Sequence, residues 1–321
     1  MRRRPQEIGE ELLAFGDVLM PDEAQEPILA RPVRGALLEW LTEIWAATEL
    51  AEAGLKPRFR ALFHGAPGTG KTTLAHHLAA RLGLPMVAVR PDRIVDRWLG
   101  ASGRNLGALF DLARPAPEGE GPVVLFFDEF DTLGAKRVAG ARDAQEERNS
   151  NTNILLQRID AHDGIIIAAT NFGSEIDPAV WRRFDIHIAV ELPGQEERER
   201  IIARYLDPYG LPPLALHQLA LSLETASPSL IRQLCEGLKR NQILGPRLGW
   251  NMHKGRVIER LIAAIEPHPT LGRPRLWALG AADLAVERMI WPLPRVDELG
   301  AAPEEDVVEP GNVVRLMGGA A

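Results

Sequence analysis

Gly65-Ala66-Pro67-Gly68-Thr69-Gly70-Lys71-Thr72 constrains this chain more than any other stretch. It fits the pattern G-x-x-x-x-G-K-[ST], whose meaning depends on its flanks. Arg60-Ala61-Leu62-Phe63-His64 ahead of it reads as a buried strand. Behind it, Thr73 to Leu82 has helical spacing, with Leu74, Leu78 and Leu82 on one face. Strand, glycine turn and helix in that order form a phosphate-binding loop. Glycines let backbone N–H groups close around phosphate oxygens, and the helix start adds its positive dipole end. Lys71 then bridges the terminal phosphates and the Thr72 hydroxyl holds Mg²⁺. The bland alternative, a glycine turn with no ligand, does not account for Lys71-Thr72 in that context. The chain is expected to bind a nucleoside triphosphate.

Val123-Val124-Leu125-Phe126-Phe127-Asp128-Glu129 is a second signal. An apolar run of that length reads as a strand buried on both faces of a parallel sheet. Its carboxyl end, where an open α/β sheet places ligands, carries two carboxylates. Asp128 suits the magnesium shell, and Glu129 suits activation of an attacking water.

Composition removes several function classes. The 321 residues suggest about two domains, and 45% apolar content suffices for real cores. A net charge of −7 provides no global field toward nucleic acid or anionic lipid. The single cysteine, Cys235, excludes an internal disulfide and reads as a small buried hydrophobe. No apolar run reaches the ~18 residues of a membrane span, and no signal-peptide core follows Met1-Arg2-Arg3-Arg4, so a cytoplasmic protein is expected.

From about Gly54 to Arg240 the chain resembles the AAA family of ATPases within the AAA+ group. The resemblance rests on Gly54-Leu55-Lys56-Pro57, on the loop from Gly65 to Thr73, and on Asp128-Glu129-Phe130-Asp131. Arg148, Asn153-Ile154-Leu155-Leu156, Ile159-Asp160 and Gly164 follow the same pattern. It implies a parallel αβα ATPase domain with a small α-helical lid, ATP and Mg²⁺ as cofactors, and assembly into a homo-oligomeric ring of six. Ile165 to Asn171 resembles the strand ending in sensor 1, which makes Asn171 the contact to the γ-phosphate and attacking water. Ile176 to Asp185 resembles the region whose arginines reach a neighbouring subunit's nucleotide, here Arg182 and Arg183. They are adjacent instead of two residues apart, so the sequence does not say which acts more.

Two assignments keep their alternatives. Arg232, after the helix-start signature Ser227-Pro228, is either sensor 2 or a solvated helix arginine. Trp98-Leu99-Gly100 resembles a pore loop that grips extended polypeptide, and is otherwise a packed Trp beside a turn. The stretch from Asp131 to Gln145 reads as a second channel loop or a solvated one.

The expected organisation is an N-terminal arm at 1–35, an ATPase domain at 36–192, a helical lid at 193–266, and a helix with flexible tail at 267–321. Leu37, Leu38, Leu41, Ile44 and Trp45 form the expected apolar stripe of a helix packed on the sheet. From Pro292 onward, repeated Pro, Gly and acidic residues suggest a mobile tail. The implied activity is ATP hydrolysis coupled to remodelling of a protein partner, with a partner enzyme possible. Two competitors remain: a nucleic-acid loader and an ATP-gated scaffold. The chain contains no H-E-x-x-H zinc signature, which argues against a fused metalloprotease.

Overall fold

The computed structural model describes residues 11–94, 101–114, 123–131, 153–172 and 176–299. Among the described residues six strands form one sheet: β1 (Gly16–Leu19), β2 (Arg60–His64), β3 (Met86–Val89), β4 (Val124–Phe127), β5 (Ile166–Thr170) and β6 (Ile186–Ala189). Their spatial order is β1-β3-β4-β5-β2-β6. All neighbours are parallel except β1, which runs antiparallel along β3.

The strands are apolar throughout because both faces are covered. Alternate residues point to opposite sides of a strand. Ala61, Phe63, Val124, Phe126 and Ile167 meet Leu37, Trp40 and Leu41 of α1 (Arg31–Trp45). Leu74, Ala75 and Leu78 of α2 (Lys71–Arg81) complete that layer. Leu62, Leu125, Phe127, Ile166 and Ala168 turn the other way. There they meet Leu106, Leu109 and Phe110 of α3 (Ala101–Leu112), and Leu155 and Ile159 of α4 (residues 153–161). The result is the expected αβα sandwich.

A second core belongs to the lid. It joins α5 (Gln195–Leu206), α6 (Pro213–Ser222), α7 (Pro228–Leu244) and α8 (Lys254–Ala264). Ile202, Leu206, Leu219, Ile231, Leu234 and Ile258 are sealed at its centre. Cys235 is fully buried there, and burial pushes its thiol up to about 12, so it is an inert core residue.

Three expectations change. Residues 11–19 are not part of a detached arm: Leu12 is fully buried, and β1 pairs along β3. Gly16 permits that approach, since a Cβ there would stand 2.1 Å from the Ala88 carbonyl oxygen. The stripe on α1 runs through Val33, Leu37, Trp40, Leu41 and Ile44, while Leu38 and Trp45 are 54% and 53% exposed. A helical period selects 37, 40, 41 and 44, and the Trp40 indole donates to the Arg58 carbonyl at 2.7 Å. Finally, residues 292–299 are a strap on the lid. Leu293 is buried, its N–H donates to Gln242 Oε1 at 2.7 Å, and the Gly210 N–H donates to the Pro294 carbonyl at 3.0 Å. Proline-rich sequence orders here because its backbone groups find partners. Leu276, Trp277, Val286 and Met289 likewise pack into the lid core.

Candidate active site

The three central strands β4, β5 and β2 lie side by side, and the residues leaving their carboxyl ends converge. The loop from Gly65 to Gly70 leaves β2, Asp128 and Glu129 leave β4, and Asn171 leaves β5. They line one cleft of about 280 Å³, together with Thr73 and with Tyr205, Pro228, Ser229 and Arg232 of the lid.

The loop can close only because glycines occupy its bends. Gly65, Gly68 and Gly70 have φ of +150°, +75° and +94°. A Cβ on Gly65 would stand 2.2 Å from the Val190 carbonyl oxygen, so only glycine lets β2 turn against β6. Thr69 Oγ1 donates to the Ala66 carbonyl at 2.9 Å and braces the turn.

Lys71 is buried, and its three ammonium protons are spoken for. They go to the Gly65 carbonyl at 2.8 Å, the Ala66 carbonyl at 2.9 Å and Asn171 Oδ1 at 2.7 Å. Burial holds its pKa below the ordinary lysine value, while Asp128 and Asp131 pull the other way. Neutral oxygens are weak partners for a buried cation, and an arriving phosphate offers a far better one.

Thr72 Oγ1 donates to Asp128 Oδ2 at 2.8 Å. A hydroxyl beside a carboxylate is the hard-oxygen pair that magnesium takes when phosphate and water complete its shell. Among the described residues no cluster of three His, Cys, Asp or Glu gathers to bind a metal by protein ligands alone.

Glu129 is exposed toward the cleft, and its φ of 47° is left-handed. Non-glycine residues adopt that region rarely and at a cost, which concentrates at functional sites. The Asp128 carboxylate accepts the Glu129 N–H at 2.9 Å, and Phe130, fully buried, donates its N–H to the Ala169 carbonyl at 2.8 Å. The two neighbours thus hold the bend between them.

The lid touches the loop directly. Ser227 caps α7, its Oγ accepting the Leu230 N–H at 3.3 Å, and the Ser229 N–H donates to the Gly68 carbonyl at 3.2 Å. Arg232 stands one turn into α7, half exposed at the cleft, with Glu236 Oε1 at 3.9 Å. Beside the cleft, and sharing Pro228 with it, lies a cavity of about 650 Å³ lined by Ile28, Leu29, Val33, Thr69, Ile188 and Val190. Its apolar walls suit a flat base. Nothing in the sequence gives these residues or Tyr205 a site role, because they come from three separate segments that only folding joins.

Arg182 and Arg183 do not line this cleft. Both are exposed at the end of the one-turn helix Pro178–Trp181. Arg183 Nε pairs with Asp160 Oδ2 at 2.9 Å, whereas Arg182 has no carboxylate partner among the described residues. Trp98, Leu99 and the stretch 132–145 lie outside the described residues.

Comparison with known proteins follows the same geometry. Residues 61–192 match the family model "ATPase family associated with various cellular activities (AAA)". The chain is 40% identical over 149 residues to an uncharacterized AAA family ATPase, y4kL, of Sinorhizobium fredii, covering 46% of this chain and 44% of that one. It is 31% identical over 253 residues to the proteasome-activating nucleotidase of Methanopyrus kandleri, covering 71% and 57%. Identity to the ATP-dependent zinc metalloprotease FtsH 1 of Symbiobacterium thermophilum is 40% over 148 residues, covering 44% and 24%. The chain therefore spans from about a quarter to somewhat over half the length of these relatives. Among solved structures, the FIGL-1 AAA domain superposes with a TM-score of 0.61 over 76% of this chain and 83% of its own, at 21% identity, which is a likeness of fold.

Proposed function

Residues 61–192 are an AAA-family ATPase domain, and from that premise we propose that this chain couples ATP hydrolysis to the remodelling of a protein partner. It does so within a homo-oligomeric ring, most simply of six. The observation that carries the hydrolytic half is the meeting of Lys71, Thr72, Asp128 and Asn171 within hydrogen-bond reach at the ends of three adjacent strands.

Each side chain has one task. Lys71 exchanges its backbone carbonyls for phosphate oxygens and neutralises their charge. Thr72 and Asp128 would hold the magnesium ion that accompanies ATP, which adds positive charge along the phosphate chain. Glu129 accepts a proton from the attacking water, while Asn171 orients that water against Lys71. Arg232 contacts phosphate from the lid, and the apolar cavity beyond Thr69 takes the base. One guanidinium is still needed on the far side of the transferred phosphoryl group. Since neither Arg182 nor Arg183 reaches the cleft of its own chain, a neighbouring subunit supplies it. Arg182 is the better candidate, because Arg183 is committed to Asp160.

The protein-partner half draws on the relatives, one of them a proteasome-activating nucleotidase and another an ATP-dependent protease by name. Trp98 and Leu99 are the residues we assign to gripping that partner. A cytoplasmic setting accords with a single, buried cysteine.

The test is capture from native lysate with Glu129→Gln loaded with ATP. A specific protein should be retained, and should be lost in Lys71→Ala and in Trp98→Ala. Recovery of nucleic acid, or of the ring alone, would move the assignment to a loader or a scaffold.

A further inference from the structure

One aromatic cluster lies outside the cleft yet touches β2, which feeds it, and the neighbouring β6. The Trp181 ring stacks on the His187 ring, centroids 4.1 Å apart and planes inclined by 14°. The His64 ring also contacts Trp181, centroids 5.5 Å apart and planes inclined by 51°. A hydrogen bond of 3.0 Å between His187 Nε2 and the Trp181 carbonyl holds the backbone as well as the ring. The Leu62↔His187 register of β2 and β6 puts His64 and His187 on the same face of neighbouring strands, and Trp181 spans them.

Position gives the cluster its meaning. His64 is the last residue of β2, directly before Gly65. It sits close enough to Lys71 to feel its charge: burial, then His187 and Lys71, hold its pKa below the ordinary imidazole value. His187 lines the apolar cavity beside the loop. Trp181 ends a helix of four residues, Pro178–Trp181, and Arg182 caps it. So short a helix cannot hold its own direction through internal hydrogen bonds. What seats Trp181 therefore aims Arg182.

We propose that Trp181, in ring contact with both His64 and His187, is a positioning residue that couples occupancy of a subunit's own nucleotide cleft to presentation of Arg182 and Arg183 to the next subunit. This rests on the shared site proposed above. Phosphate arriving at Lys71 draws the loop inward from Gly65, and a base filling the cavity presses on β6. Either displacement reaches Trp181 through a histidine, and the arginine pair moves with it.

Mixed assemblies test this. Trp181→Leu alone should lower turnover at least about tenfold while affinity for a fluorescent ATP analogue stays within about threefold. Trp181→Phe, which keeps an aromatic plane against the histidines, should hold turnover within about threefold of the parent. Trp181→Leu subunits, impaired alone, are then mixed with Glu129→Gln subunits, inactive alone. In an equal mixture roughly a quarter of the head-to-tail interfaces join an intact cleft to well-placed arginines, so turnover should rise above that of Trp181→Leu alone. The double variant Arg182→Ala/Arg183→Ala, mixed in the same way, should recover to a similar extent.

Wild-type turnover in Trp181→Leu overturns the proposal. So does recovery by the arginine variant without recovery by Trp181→Leu, which would make Trp181 a structural part of its own cleft. No recovery by the arginine variant overturns the shared site itself. Should Trp181→Leu aggregate, His64→Leu takes its place in the mixture with the same expected and contrary results.

Discussion

Gly65 shows how a single residue can decide a site. Its φ is +150°, and a methyl group in place of hydrogen would meet the Val190 carbonyl oxygen at 2.2 Å. Gly65→Ala must therefore push β6 away or unbend the loop, at a cost of about 1–3 kcal/mol in strain. Thermal unfolding should report that loss, and an ATP-analogue titration should show affinity falling with it. An unchanged melting temperature would mean that the loop relaxes freely. The arginine pair gives a second residue-scale prediction. Arg182→Ala should lower turnover by about 10³-fold or more, the scale of a missing transferred-charge partner. Arg183→Ala should cost less, because that side chain is spent on Asp160 at 2.9 Å. Steady-state turnover of the two variants decides the order, and the reverse order would place Arg183 at the neighbour's cleft. The sequence names both arginines but cannot rank them, since the carboxylate that separates them lies more than twenty residues upstream.

At the scale of elements, α7 is the piece whose start matters most. Ser227-Pro228 reads from sequence as a helix start, and Ser227 caps the Leu230 N–H. The cap does more than end a helix. It sets Ser229 to donate to the Gly68 carbonyl, so the lid's longest helix is pinned to the phosphate loop. Ser227→Ala should lower stability by about 1 kcal/mol and also raise the KM for ATP, because the loop loses its brace. Chemical unfolding and steady-state kinetics read the two effects separately. A stability loss with unchanged KM would confine the serine to capping. Helix α1 carries the complementary lesson. Its period is plain, but hydrophobicity alone does not say which side the sheet occupies, so Leu38 and Trp45 read as buried where the structure exposes them and buries Trp40.

For the whole molecule, one buried histidine ties stability to pH. His162 is 4% exposed, its Nε2 has no partner among the described residues, and burial holds its pKa at about 4. Asp163 raises it, and Arg114 and Arg60 lower it further. Below about pH 6.5 the unfolded chain binds a proton that the folded chain refuses until about pH 4. The contribution is thus complete above pH 6.5 and drains away as pH falls through that window, by about 3 kcal/mol at most. His162→Phe, a ring of similar size against Phe110, should flatten the fall in unfolding free energy across that interval. An identical pH slope in parent and variant would assign the acid sensitivity to other groups.

The phosphate loop, the acidic strand end and the terminal asparagine were readable from the chain alone, as was the αβα class. Each is a short contiguous run whose chemistry depends on neighbours in sequence: glycines at the bends, apolar residues on both faces of a strand, carboxylates at its end. What only the tertiary structure decided is contact between distant segments. β1 along β3, the 292–299 strap on the lid, the apolar cavity from Ile28, Val33 and Ile188, and Trp181 against His64 all join residues far apart in the chain. Local composition carries no record of such pairs, because the burial that stabilises them exists only once the sheet has brought them together.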